Sequence, residues 1–120
     1  AGEAADGVVL AAQYLVPESP GEAAHPMTRS FLERYRATFG AMPASDNAYR
    51  GYDAVQILAE AIRHTGGLDG QAIAEAIHGI EGLPGIAGTF DFTVVPGEGI
   101  HETRIYRIDG GRYVEVGPAG

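Results

Sequence analysis

Pro26–Gly40 reads PMTRSFLERYRATFG, Pro43–Gly67 reads PASDNAYRGYDAVQILAEAIRHTGG, and Leu83–Phe92 reads LPGIAGTFDF. The order of these three stretches decides the fold. In the first, Pro26 suits the opening helical position, where its absent N–H is not missed, and Gly40 suits a left-handed stop after Phe39. Met27, Phe31, Tyr35 and Phe39 recur at every fourth residue with Leu32 beside them, while Arg29, Glu33, Arg34 and Arg36 fall elsewhere. That spacing predicts a helix with one buried face. In the second stretch Ser45 is the expected N-cap, Asp46 complements the positive helix end, and the helix is expected to run to Thr65 before Gly66 and Gly67 stop it. Its expected buried stripe is Tyr52, Val55, Leu58, Ala59 and Ile62, with Arg63 and His64 in the last turn. Asp69 is placed to cap a third, shorter helix carrying Ile73, Ala76 and Ile77 and ending near Gly79.

Outside the helices the periodicity changes. Val8–Val16, VVLAAQYLV, has the β-branched and aromatic content of a strand with imperfect alternation, and the turn-rich PESPGEAAHP after it reads as an exposed loop. Thr89–Thr93 reads as a further strand. HETRIYRIDGGRYVEV, from His101 to Val116, reads as a hairpin: Thr103, Ile105, Tyr106 and Ile108, an Asp109-Gly110-Gly111 turn, then Tyr113, Val114 and Val116. The expected fold class is α/β, a strand, three helices and a C-terminal β-hairpin, with too few strands to close a large sheet alone.

Composition narrows the function. A chain of 120 residues, 45% hydrophobic and 20% charged, suits one domain burying roughly two thirds of its unfolded surface. The formal charge of −8 repels a phosphate backbone, so nucleic acid is not an expected partner. All basic residues are arginines, dispersed along the chain, so no polybasic membrane patch forms. Without cysteine there is no thiolate nucleophile, disulfide or Cys-based zinc site, and either redox compartment is compatible. No stretch approaches the roughly 20 apolar residues of a bilayer span, and Val8–Val16 is interrupted by Gln13. The sequence begins at Ala1 with no charged segment followed by an apolar one, so a secretory signal has been removed or the chain is a piece of something longer.

Reactive chemistry finds little support. His25, His64, His78 and His101 fall in different elements without ligand spacing, which favours solvated or helix-end roles over metal binding. Glu60 and His64 are one helical turn apart, a spacing that ordinarily supports a helix surface rather than acid–base work. Gly82, Gly85 and Gly88 neither link a strand to a helix N-terminus nor accompany a Walker lysine, so turn formation is preferred to a phosphate cradle. Ser19, Ser30 and Ser45 lack a GxSxG setting. The expectation is a binding module, not an enzyme, with no catalytic residue, metal or cofactor.

The ordered set GEAADGVV (Gly2–Val9), FLERYRATFGAMP (Phe31–Pro43), YDAVQILAEAIRHTGG (Tyr52–Gly67), GIAGTFDF (Gly85–Phe92) and the closing IYRIDGGRYVEV resembles the C-terminal third of type I periplasmic binding proteins. Within them it is most similar to the branched-chain amino acid binding proteins of ABC transporters. The resemblance implies two α/β lobes joined by three crossing strands, a small amino-acid-like ligand held in the cleft through its carboxylate and ammonium, and a membrane permease that reads the closed form. It implies that residues of about 8–105 belong mainly to the first lobe together with the inter-lobe crossings, near Val9–Tyr14 and near Tyr106. Residues of about 106–120 would return toward the second lobe. It further implies a periplasmic or extracytoplasmic location. In length the chain departs from the family, lacking about two thirds of the expected residues.

Tyr49 stands three residues ahead of Tyr52, where the resemblance places an aromatic before the Tyr-x-Ala-Val helix. Two roles are open to it, ligand wall or core aromatic. Asn47, with Asp46, lies at a helix N-terminus where backbone N–H groups point outward, although Asp46 also suits a simple cap. Tyr14, near the inferred crossing, reaches either the cleft floor or the strand packing. The contrasting reading is a stand-alone α/β interaction domain that docks to a protein partner or forms a homo-oligomer through unpaired strand edges and an uncovered apolar face.

Overall fold

The computed structural model describes residues 2–118; Ala1, Ala119 and Gly120, the outermost residues of the expected domain, lie outside the described residues. The element order is β1 (Val9–Ala12), α1 (Pro26–Phe39), α2 (Asn47–Thr65), α3 (Gly70–His78), β2 (Glu81–Pro84), β3 (Thr89–Asp91), β4 (Arg104–Asp109) and β5 (Arg112–Pro118), with short 3-10 turns at Gly2–Ala5 and Pro20–Glu22. The strands form an antiparallel sheet in the order β1-β4-β5 and a separate β2-β3 ribbon.

Local chemistry accounts for most boundaries. α1 begins at Pro26 and stops at Gly40, whose φ of 74° is left-handed. α3 is capped by the Asp69 carboxylate, which accepts the Ala72 N–H at 2.9 Å. In the hairpin, Asp109 pairs with Arg112, and Gly110 and Gly111 both take positive φ, 59° and 78°. That is the backbone a two-residue turn needs to match the strand twist, and glycine adopts it without penalty.

Several expectations are corrected. β1 ends at Ala12, because the chain from Gln13 onward leaves the ladder to cross toward the helices. The loop after it is not wholly exposed: Ala23 is buried in the core. Ser45 is not the cap of α2; Asp46 holds that position with helical backbone and no side-chain cap, its carboxylate turned instead to Arg50 at 2.9 Å. The buried face of α2 is Tyr49, Asp53 and Ala61, whereas Val55 and Leu58 remain 62% and 44% exposed. The core of the described residues, built around Phe31, Leu32, Tyr49, Ile86 and Ala87, packs on the opposite side of that helix from the aliphatic stripe. β2 has no counterpart among the expected strands, since its Glu-Gly-Leu-Pro sequence lacks strand formers; it pairs through a register shift between Glu81 and Leu83.

The chain is open for its size. Its Cα radius of gyration is 16.5 Å, against about 14 Å for a compact domain of this length. Its accessible surface is 7425 Å², against about 6,200 Å² for a compact monomer of the same mass. No helix among the described residues is long and apolar enough to cross a membrane.

Candidate functional site

Tyr14 stands where the β1-β4-β5 sheet meets the helices. Its ring meets that of Tyr49 edge-on, with centroids 5.7 Å apart at 71°, and the Arg104 guanidinium lies over it at 5.2 Å from the ring centre. Backbone groups fasten the same segment from both sides. The Tyr49 hydroxyl donates to the Tyr14 carbonyl at 2.8 Å, and the Leu15 N–H donates to the Tyr106 hydroxyl at 3.3 Å. The crossing at residues 14–15 is therefore pinned to α2 on one side and β4 on the other, each pin being a phenol with an apolar body and a polar tip. Burial pushes the Tyr49 phenol up to about 12, and pushes Tyr14 and Tyr106 upward as well.

Two open cavities flank this junction and share Tyr14, Ala24 and Arg104. One, of about 360 Å³, is bordered by Tyr14, Thr28, Gly85, Gly88, Glu102 and Arg104. The other, of about 400 Å³, is bordered by Val16, Glu22, Tyr106, Arg112 and Glu115 in addition to the three shared residues. Both volumes fall in the range of small-ligand pockets. A further cavity of about 570 Å³ lies elsewhere, between the C-terminal half of α2, α3 and β2, among Glu60, His64, Glu75 and Glu81. No group of metal-ligating side chains forms among the described residues.

The Pro84–Gly88 loop that walls the smaller junction cavity is held from behind by Asp53. Its side chain is buried, and its carboxylate accepts the Ile86 N–H at 2.8 and 3.0 Å and the Ala87 N–H at 3.1 Å. Burial raises the Asp53 pKa, opposed by these two backbone donors. Gly85 permits the approach: a Cβ there would fall 2.3 Å from the Phe90 ring and 3.1 Å from the Asp53 carboxyl carbon.

The sequence-derived candidates separate. Tyr14 borders both junction cavities. Tyr49 is 0% exposed and lies beneath Tyr14 as a core residue, so its contribution to either cavity is through Tyr14. Asn47 is exposed at the start of α2 and borders neither. Sequence reasoning missed Thr28, Asp53 and Arg104. Asp53 carried a signal, a carboxylate on the face that also bears Tyr49, opposite a glycine-bounded loop rich in free N–H groups; Arg104 carried none beyond its place in a strand. Of the histidines, His25 caps α1 by accepting the Met27 N–H at 3.3 Å, and His101 Nε2 lies 2.8 Å from the Asp91 carbonyl.

A family model described as periplasmic binding protein matches residues 1–112. No curated protein matches the chain. Among solved structures, a leucine-binding protein from Thermotoga maritima superposes with a TM-score of 0.76 at 26% identity, over 98% of this chain and 32% of that one. An ABC transporter solute-binding protein from R. palustris, in complex with benzoate, gives 0.75 at 19% identity, over 98% and 31%. An ABC transporter substrate-binding protein from Desulfitobacterium hafniense, in complex with Leu, gives 0.72 at 24% identity, over 93% and 32%. The chain thus spans about a third of the length of the structures it matches.

Proposed function

The chain belongs to the periplasmic binding protein family, and on that premise we propose that it is the C-terminal part of a two-lobe solute-binding component of an ABC transporter. Its relatives are solute-binding proteins of such transporters, not enzymes. The observation that carries the proposal is the superposition on a leucine-binding protein over 98% of the chain at a TM-score of 0.76. In this reading α1, α2 and α3 belong to the first lobe and the segments at Tyr14 and Tyr106 are inter-lobe crossings. The stretch from about residue 106 returns toward the second lobe.

The cleft then opens beside Tyr14, with Arg104 and Glu102 on its wall and Tyr49 bracing it from the core. A pocket bearing both a cation and a carboxylate suits an amphoteric solute, and a branched-chain amino acid or a related amide metabolite is the ligand class proposed. Asn47, at the exposed N-terminal end of α2, is proposed to meet solute only if the lobes close over it. Solute binding draws the lobes together, and a permease partner in the membrane reads that closure, which sets the protein outside the cytoplasm.

A thermal-shift screen of amino acids, amides, aromatic acids and fatty acids on the complete gene product tests the reading. One class is expected to stabilise the protein in proportion to the logarithm of its concentration. A protein that melts identically with every class contradicts it.

The exposed face of α2 supports a second reading for the chain in isolation. Val55 and Leu58, with Val94 and Val114 elsewhere, leave apolar surface that a second copy would cover where the rest of the protein does not.

A further inference from the structure

Among the described residues, polar ties join the β1-β4-β5 sheet to the helical part of the chain in two places. The first is the crossing itself, where the Tyr49 hydroxyl meets the Tyr14 carbonyl, the Leu15 N–H meets the Tyr106 hydroxyl, and Arg50 donates to the Gln13 side-chain oxygen at 3.3 Å. The second is the hairpin. Arg112, the first residue of β5, holds its Nε 3.0 Å from the Glu18 carboxylate and donates through a terminal nitrogen to both carboxylate oxygens of Glu22 at 3.4 Å.

Each end of the hairpin tie is fixed to its own body. Arg112 pairs with Asp109 in the ladder, and the adjoining Gly111 N–H donates to Asp6 Oδ1 at 3.3 Å. Glu22 accepts from the Ser19 hydroxyl at 3.1 Å and ends the 3-10 turn Pro20–Glu22. The next residue, Ala23, is buried in the helical core, and its carbonyl accepts from the Arg29 guanidinium of α1 at 3.1 Å. Between the two ends lies the larger junction cavity, bordered by Glu18 and Glu22 from the loop and by Arg112 from the hairpin.

The two ties differ mechanically. Bonds at the crossing lie on the line about which one body turns against the other, and leave that rotation free. Arg112 stands off the line: its ladder partner Asp109 is three residues along β4 from Tyr106, about 10 Å at the rise of a strand. On such an arm a rotation of about 20° displaces the guanidinium by about 3.5 Å, enough to carry these pairs past the ion-pair limit of about 4 Å. The three side chains are about half exposed, so the pairs break and re-form at small cost.

We propose that Arg112, Glu18 and Glu22 form a strap that holds the sheet against the helical part with both junction cavities open, and that parts when the two bodies rotate about the crossing. The strap goes beyond the solute-binding reading and rests on it for its purpose, which is to oppose lobe closure until solute binding overcomes it. Its three residues border the larger cavity and not the smaller one beside Glu102, so it acts on closure without touching a solute held there.

The test reads the strap first without solute. The chain has no cysteine, so Leu68→Cys beyond α2 and Val116→Cys on β5, both exposed, carry a pair of spin labels, and dilution into unlabelled chain leaves only distances within one molecule. Relative to wild type, a second distance population is expected to grow roughly twofold or more in Arg112→Gln and in Glu18→Gln/Glu22→Gln, with no further growth when all three changes are combined. Salt at about 1 M, where screening reaches about 3 Å, reproduces the effect in wild type and adds nothing to Arg112→Gln. Distance distributions that superimpose in wild type and Arg112→Gln, or effects that simply add, overturn the strap. In the complete protein, Arg112→Gln is expected to bind the same solute roughly twofold or more tightly, because closure no longer breaks the pairs. Unchanged or weaker binding overturns the strap's part in closure and leaves the solute-binding reading standing, whereas a complete protein that binds no solute of any class overturns that reading itself.

Discussion

The Asp53 carboxylate and the Ile86 N–H lie 2.8 Å apart although 33 residues separate them in the chain. With the second bond to Ala87, this contact decides where the Pro84–Gly88 loop runs, and so where one wall of the junction cavity stands. A buried carboxylate is tolerated here because two backbone donors meet it.

Replacing Asp53 by Ala leaves the Ile86 and Ala87 N–H groups buried without acceptors. The expected loss is about 3 kcal/mol, at about 1–3 kcal/mol per unsatisfied group. Hydrogen exchange at those two amides is expected to rise well above that of the helix amides, and unchanged protection there refutes the role. Asp53→Asn adds a pH test. Because burial raises the folded-state pKa, the stability Asp53 contributes is full below its ordinary value of 3.8 and declines as pH rises through the folded value. The gap between wild type and Asp53→Asn in urea melts is therefore expected to narrow from acid to neutral pH.

Gly85→Ala forces a methyl against the Phe90 ring, where an approach of 2.3 Å cannot be accommodated without movement. Overpacking of this kind costs about 1–3 kcal/mol. Trimming the ring in Gly85→Ala/Phe90→Leu is expected to recover part of that loss, so a double-mutant cycle with no coupling counts against the contact.

Tyr49 makes alkaline stability informative. Its phenol is pushed from 10.0 to about 12 in the folded chain, so the stabilisation is fully present below pH 10 and lost as pH rises through 12. A shift of that size corresponds to about 2–3 kcal/mol. Tyr49→Phe, which also forgoes the hydrogen bond to the Tyr14 carbonyl, is expected to remove this part of the alkaline loss. A tyrosinate absorbance titration in which wild type and Tyr49→Phe lose stability in parallel argues against it.

The uncovered stripe on α2 predicts self-association of the isolated chain. Val55→Glu with Leu58→Lys is expected to shift sedimentation toward monomer while leaving the melting temperature nearly unchanged, because both positions are already exposed. A wild-type chain that stays monomeric at all concentrations contradicts this.

Much of the fold was legible because it is written in local chemistry. Pro26 and Gly40 mark the ends of α1, Asp69 caps α3, and Gly110-Gly111 turns the hairpin, each through backbone preference acting over a few residues. The buried face of α2 was not legible. Its aliphatic residues outweigh Tyr49 and Asp53 by hydrophobicity, yet the core in these residues lies on the Tyr49 side, and no periodicity reveals which of two apolar faces has a partner. The site was partly legible. Tyr14 was in place as a candidate, but Thr28 and Arg104 join it only through contacts that bring α1 and β4 to the same crossing.

Calorimetric titration of the complete gene product with leucine and related small carboxylates tests the central claim most directly. The account predicts saturable 1:1 binding that leaves the solute chemically unchanged, together with only weak binding by the 120-residue chain. Tight micromolar binding by that chain alone, or turnover of a solute by either form, contradicts it.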